Sequence, residues 1–288
     1  LEEYAAAGRT DLPEKDLPAE IERLRAKQIK LTRVIYRQLS PIQRVKVARH
    51  AQRPKTKDFI KHLITDFSLL AGDRAYGEDE AILGGIGRFD GQPVVVVGTE
   101  KGNDSKTRVK HNFGMPKPDG YRKAIRLYEL ADRFELPLLT FIDTPGAYPG
   151  VDAEARGQGE AIARCIETLL NINVPVISTI TGEGGSGGAL ALAVADQVQM
   201  LEHAVYSVIS PEGCATILFG EANKRTIPVA ASQMKMTTPD LNGLGVIDRI
   251  IKEPVGGAHR DIALTMTRTK EAINAALQAV DNLSLIHI

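Results

Sequence analysis

Two periodicities divide the chain. Up to Leu70 apolar residues recur at helical spacing. Ile21, Leu24, Ile29, Leu31, Val34, Ile35 and Leu39 mark a helix over 19–39. Ser40 can cap, and Pro41 open, a second helix over 42–48, and 57–70 reads as a third amphipathic stretch. Beyond the turn at Ala71-Gly72-Asp73 the texture changes to short apolar, β-branched runs. Strands are expected over 82–89 and 93–98, joined by Asp90-Gly91, a strong hairpin signal. A helix over 118–134, a buried strand over 136–142 and a helix over 154–170 follow. Short strands over 196–201, 204–209 and 246–251 alternate with helices over 211–219, 227–233 and 261–280. This alternation predicts an α/β fold with a largely parallel sheet, whose ligands meet the loops at the carboxyl ends of the strands.

The chain is organised around residues 174–193. Val174, Val176, Ile177, Thr179 and Ile180 form a buried strand, and Ala189 to Ala193 are strong helix formers. Between them stand five glycines in seven positions, Gly182, Gly184, Gly185, Gly187 and Gly188, interrupted by Glu183 and Ser186. A strand, a glycine turn and a helix start bring free N–H groups and the positive end of a helix dipole to one point. The missing Cβ atoms let a ligand approach the backbone. Such a place suits negative charge, bound or transient.

Composition narrows the classes. The chain has 288 residues, 43% hydrophobic and 25% charged, ordinary for a globular protein. Lys+Arg and Asp+Glu both number 36, so no global bias points to nucleic acid or an anionic membrane. Locally the balance fails: from Arg23 to Lys61 the basic residues face only Asp58, a solvated helical arm that docks on a partner. The two cysteines, Cys165 and Cys214, form neither a metal spacing nor a disulfide framework, which suits a cytoplasmic location. No apolar run approaches spanning length and no signal peptide is visible. The start at Leu1 rather than Met reads as an incomplete N-terminus, residues 1–18 as loosely ordered, and the apolar end 283–288 as a non-native or truncated tail.

Three short strings compete to explain the glycine turn. Gly184-x-Ser186-x-Gly188 matches the nucleophile elbow of serine hydrolases in the right strand-turn-helix setting, but a glycine-saturated string meets that pattern easily. Its downstream histidines are His203, His259 and His287. Asp143-Thr144-Pro145-Gly146 resembles a GTPase switch, yet no phosphate loop G-x-x-x-x-G-K-[ST] precedes it. Met234-Lys235-Met236 matches the biotin-attachment tripeptide but lacks the flanking hairpin of a biotinyl domain. What remains is electrostatic. Two glycine-bearing loops, 143–150 and 182–188, can form an oxyanion hole from backbone N–H groups alone. The competing account is helix–sheet packing that needs glycine for clearance, and five glycines in seven positions favour function.

At these residues the chain resembles the α subunit of the bacterial acetyl-CoA carboxylase carboxyltransferase, over about 20–281. The strings that carry the likeness are Leu70-Ala71-Gly72-Asp73-Arg74-Ala75-Tyr76, Asn112-Phe113-Gly114-Met115-Pro116, Phe141-Ile142-Asp143-Thr144-Pro145-Gly146-Ala147-Tyr148-Pro149-Gly150 and residues 182–190. Tyr206-Ser207-Val208-Ile209-Ser210-Pro211-Glu212-Gly213-Cys214 and Pro254-Val255-Gly256-Gly257-Ala258-His259-Arg260 add to it. The resemblance implies a ClpP/crotonase-like spiral of ββα units over 71–282, preceded by a helical arm over 1–70. It implies a half-site that moves carboxylate from carboxybiotin, on a biotin carboxyl carrier protein, to acetyl-CoA, giving malonyl-CoA for fatty acid synthesis. The partner is a β subunit, in an α2β2 assembly working with biotin carboxylase. Gly187 and Gly188 would offer N–H groups to the biotin enolate, with Gly146, Ala147, Gly184 and Gly185 lining the pocket. This chain would hold no metal, zinc being expected only in the β subunit. The alternative is a serine hydrolase or peptidase of the same broad fold, acting through Ser186.

Overall fold

The computed structural model describes residues 17–286, with side-chain surroundings up to residue 281. The expectations for residues 1–16, for His287 and for the side chains of the tail lie outside the described residues. The chain divides into two compact units between Leu39 and Ser40. The first contributes helix α1 (Leu17–Arg37), with an Arg23–Glu20 ion pair at its start.

In the second unit α2 (Pro41–Ala48) opens on Pro41 behind Ser40, whose N–H donates to Gln43 Oε1, as a capping box requires. Helix α3 (Thr56–Leu63) is shorter than the apolar spacing predicts, because Ile64–Leu69 leaves the helix as strand β1. The reason lies in the neighbouring strand β2 (Ile82–Phe89), with which β1 pairs antiparallel from Ile64↔Phe89 to Leu69↔Gly85. Gly85 and Gly87 present no side chain there, so the backbone around Ser68 comes into close contact. The spacing of Phe59, Ile60, Leu63, Ile64 and Phe67 fits a helix, and tertiary pairing overrides it.

Asp90-Gly91 turns β2 into β3 (Gln92–Thr99), as expected, with Asp90 at φ 50° and Gly91 at φ 85°. Short α4 (Ser105–Lys110), capped by Asp104 on the Thr107 N–H, and a 3-10 turn (Asn112–Gly114) lead to α5 (Pro118–Arg133). Strand β4 (Leu138–Thr144) follows. The helix expected over 154–170 is two, α6 (Val151–Ala155) and α7 (Gln158–Asn171), broken where Gly157 adopts φ 81°. Strand β5 (Val176–Gly185) runs into α8 (Ser186–Ala193). Then come β6 (Gln197–Leu201), β7 (Val205–Ser207), α9 (Pro211–Phe219), α10 (Thr226–Gln233), α11 (Thr238–Gly243), β8 (Arg249–Ile251) and α12 (Ile262–Ile286).

Among the described residues the strands form one sheet in the order β1-β2-β3-β4-β5-β6-β8, with β7 beside the end of β5. Pairing is antiparallel from β1 to β3 and parallel from β3 onward. The parallel strands are apolar because both faces are covered. Phe141 stacks on Phe59 of α3 at 5.3 Å on one face, while its neighbour Thr140 reaches the Leu192 carbonyl of α8 on the other. Val94 to Val97 are all fully buried. Among the described residues no helix is long and apolar enough to cross a membrane.

Candidate active site

Strand β5 is buried along its whole length and carries Gly182, Gly184 and Gly185 within it. The glycine stretch is therefore half strand and half helix start. Gly185 is the N-cap of α8, extended at φ −103° and ψ 130°, and the turn falls on Ser186 at φ 57°. No side chain caps α8, so its first-turn N–H groups, Ser186 to Gly188, lack intrahelical acceptors and lie at the positive end of the dipole.

The loop after β4 faces this turn. Thr144 Oγ1 accepts from the Gly146 N–H at 3.0 Å and donates to the Gly146 carbonyl at 2.9 Å. That closed pair holds Gly146 at φ 143°, where an L side chain is disfavoured. The two turns touch through their backbones. A Cβ on Gly185 would strike the Pro145 carbonyl, and one on Gly188 would lie 2.5 Å from Ala147 N and 2.7 Å from the Gly146 carbonyl carbon. The structure thus brings Gly146, Ala147, Gly185 and Gly188 together. Gly184 instead clears the Tyr206 ring, 2.8 Å from its Cβ position, and Gly182 clears the Asp143 carboxylate at 2.5 Å. Gly187 differs from all of them: the nearest atom to its Cβ position is Ile162 Cγ2 at an ordinary 3.6 Å. Packing does not require glycine at 187.

The Tyr121 hydroxyl lies 2.7 Å from the Gly188 Cβ position, fully buried and without a partner among the described residues. Burial pushes its phenol well above the usual range. Ser186 is exposed, and among the described residues its hydroxyl has no hydrogen-bond partner and no histidine placed to activate it.

Immediately behind the turns lies a layer of full charges that the sequence reading did not single out. Asp143, at the end of β4, is buried. Its Oδ1 meets Lys101 Nζ at 2.7 Å and the Glu183 N–H at 2.9 Å, and its Oδ2 meets Lys55 Nζ at 3.4 Å. Burial pushes this carboxyl up, but Lys101, Lys55 and the Glu183 N–H more than offset it and hold it well below the usual range. Lys101 also pairs with Glu183 Oε2 at 3.2 Å. Burial lowers its ammonium pKa, yet Asp143 and Glu183 leave it raised. Arg49, at the end of α2, donates to Glu183 at 2.6 Å and to Glu212 at 2.7 Å. Arg53 anchors the same segment: its Nε donates to the Thr181 carbonyl at 2.6 Å, and it pairs with Glu253, both side chains being fully buried. The only advance signals were single acids inside the glycine and Asp-Thr-Pro-Gly strings, because their partners lie far off in sequence. Beside this layer opens a cavity of about 250 Å³, reached by Arg49, Lys55, Lys101, Arg108, Phe113, Pro145 and Glu183.

The family model "Acetyl co-enzyme A carboxylase carboxyltransferase-like" matches residues 2–288. The acetyl-coenzyme A carboxylase carboxyl transferase subunit alpha of Paramagnetospirillum magneticum is 57% identical over 264 residues, 92% of this chain and 83% of the relative. That of Zymomonas mobilis is 58% identical over 260 residues, 90% and 82%. Among solved structures, transcarboxylase 12S with hydrolysed methylmalonyl-coenzyme A bound superposes with a TM-score of 0.64 at 20% identity, covering 82% of this chain and 44% of that one. The Pseudomonas malonate decarboxylase MdcD-MdcE heterodimer gives 0.58 at 18% identity, covering 69% and 81%. These distant likenesses carry the fold, the crotonase-like α/β architecture expected from the sequence. The relatives give the serine-hydrolase alternative no support.

Proposed function

This chain belongs to the acetyl co-enzyme A carboxylase carboxyltransferase-like family, and on that premise we propose how its two turns work. The chain is the α half of an acetyl-CoA carboxylase carboxyltransferase. It moves a carboxyl group from carboxybiotin, brought by a biotin carboxyl carrier protein, to acetyl-CoA, giving malonyl-CoA in the cytoplasm. The observation that carries the reading is the backbone contact of Gly188 with Ala147, where the uncapped first turn of α8 meets the loop after β4 beside the Tyr121 phenol, which burial keeps neutral.

The first-turn N–H groups of Gly187 and Gly188 receive the ureido oxygen of the biotin ring as negative charge builds there on release of CO2. Gly146 and Ala147 line the opposite wall, while Gly184 and Gly185 bring the strand end close enough to form it. A donor of this kind contributes about 3–4 kcal/mol when it meets charge that develops only in the transition state. The ring nitrogen freed of its carboxyl group takes a methyl proton from acetyl-CoA, and the resulting carbon attacks the released CO2. Atoms balance without a protein base, which fits a site whose nearest carboxylates, Asp143 and Glu183, are committed to lysine and arginine. The protein's task is to stabilise the developing charge and exclude water.

The acyl-CoA side of the pocket belongs to a β subunit, which carries the family's zinc, in an α2β2 complex that works beside biotin carboxylase. Mixing the chain with its β subunit and measuring mass together with malonyl-CoA:biotin carboxyl transfer tests this. The chain alone is expected to be inert and the complex active. Substantial transfer by the isolated chain sinks the half-site reading.

A further inference from the structure

Three cations and three carboxylates behind the glycine turns compensate one another: Arg49, Lys55 and Lys101 against Asp143, Glu183 and Glu212. Their hydrogen-bonding capacity does not close in the same way. An ammonium group has three donors and a guanidinium five. Lys101 Nζ meets two acids, and Lys55 Nζ makes one long contact of 3.4 Å. Arg108, on α4, also lines the cavity, and among the described residues its guanidinium has no acid or hydrogen-bond partner. Unused donors from three cationic side chains therefore converge on one space of about 250 Å³, with one positive charge in excess.

The remaining wall is apolar and built at a cost in backbone conformation. Asn112, Phe113 and Gly114 take φ values of 45°, 55° and 77° in succession. For non-glycine residues this region is sparsely populated and persists only where surrounding structure over-determines it. Here the Asn112 side chain donates to the Met115 carbonyl at 2.8 Å, and Gly114 lies so close to the Lys101 stem that a Cβ would strike it. The turn presents Phe113, half exposed, to the cavity that Pro145 also lines. Pro145 immediately precedes Gly146, and Glu183 immediately precedes Gly184, so the cavity adjoins the oxyanion turns.

We propose that this cavity is an anion subsite that receives an oxygen-rich charged group, a carboxylate or a phosphate, joined to a flat apolar body resting on Phe113 and Pro145. Arg108 supplies the uncompensated charge and the freest donors, Lys101 and Lys55 the remaining ones. The choice of substrates to test rests on the carboxyltransferase reading; the site itself rests on the unused donors and the strained wall. A carboxylate in transit and a phosphate of the acyl-CoA share this chemistry.

The test uses the assembled complex with Arg108→Gln and Arg108→Lys, leaving the buried lysines intact so that folding is not at stake. Arg108→Gln is expected to raise one KM about tenfold with kcat within about twofold, as loss of a charge-assisted hydrogen bond would do. Arg108→Lys recovers part of that loss. If the rise is in the KM for malonyl-CoA and disappears with 3′-dephospho-malonyl-CoA, the ligand group is a phosphate. If it falls on the carboxybiotin KM, the group is a carboxylate; if it persists with the dephospho substrate, it is the malonyl carboxylate or the diphosphate which that substrate keeps, and the malonate and phosphate titrations below separate the two. A second readout does not need turnover: malonate and inorganic phosphate, each titrated alone, are expected to raise the melting temperature, and Arg108→Gln to cancel the shift. Unchanged KM values with no anion-dependent melting shift overturn the subsite while leaving the carboxyltransferase reading intact. A wild-type complex that transfers no carboxyl group, yet shows a shift abolished by Arg108→Gln, overturns that reading and keeps the subsite.

Discussion

At the carboxyl ends of β4 and β5 the backbones of Gly146, Ala147, Gly185 and Gly188 pack against one another without a charged side chain, whereas Asp143 and Glu183, two or three residues before Gly146 and Gly185, sit in a buried array of full charges. The two regions treat charge in opposite ways. The turns are held by contact between backbones and stay neutral, so a negative charge that appears on a substrate meets fixed dipoles. The layer behind is held by ion pairs whose desolvation is repaid only while every partner is present. One region is rigid because nothing fits between its chains, the other because nothing in it can be removed singly.

The largest expected effect breaks the charged side of this comparison. Asp143→Asn leaves Lys55 and Lys101 buried without their shared carboxylate, and a loss of about 3–5 kcal/mol is expected in a denaturant titration of the complex. A loss under about 1 kcal/mol would show that water already screens the layer.

Next come two alanines placed one residue apart. Gly188→Ala forces a Cβ against Ala147 N and the Gly146 backbone, neither of which is a flexible side-chain end. A stability loss of about 1–3 kcal/mol is expected, with transfer activity falling about 10²–10³-fold as the facing donors separate. Gly187→Ala meets only Ile162 at 3.6 Å, and a better helix former at that position changes stability by about 1 kcal/mol or less. Its activity decides what the open space at 187 is for. Retained stability with a large loss of kcat assigns the space to substrate, and full activity shows that no substrate atom fills the Cβ position, the N–H donor being the same in both variants.

A smaller effect concerns pH. His259 stacks on His50 with ring centroids 3.8 Å apart, and burial, with His50, Arg260 and Arg53 nearby, lowers it to about 4. Its unfolded form takes up a proton first, so its contribution is intact above about pH 6.5 and is lost as pH falls toward about 4. Because the ring is only half-buried and solvent screens part of the shift, the loss is about 1 kcal/mol or less. Melting curves across that window should lose part of their slope in His259→Gln; an unchanged slope assigns it to other groups.

The smallest change is expected at Ser186. Its hydroxyl touches no partner among the described residues, so Ser186→Ala should leave transfer activity within a few-fold of wild type. A loss as large as that of Gly188→Ala would mean that the hydroxyl, rather than the backbone beside it, contacts the substrate.

Local pattern alone was enough for the alternation of strands and helices, the Asp90-Gly91 hairpin, the strand entering a glycine turn before α8, and the family strings around Gly146 and Gly188. These features depend on residues adjacent in sequence: β-branched runs, turn dipeptides and helix formers. Three matters were settled only in three dimensions. Residues 64–69 became a strand because Gly85 and Gly87 of β2 admit their backbone, a fact absent from the helical spacing of 57–70 itself. The five glycines separated by role because clearance depends on what lies opposite: Asp143 at 182, Tyr206 at 184, Pro145 at 185, Ala147 at 188 and open space at 187. Lys55, Lys101, Asp143 and Glu183 became one charged layer although Lys55 and Asp143 are 88 residues apart. Composition and spacing report what a residue can do next to its chain neighbours; register and packing across the sheet decide which distant groups it meets.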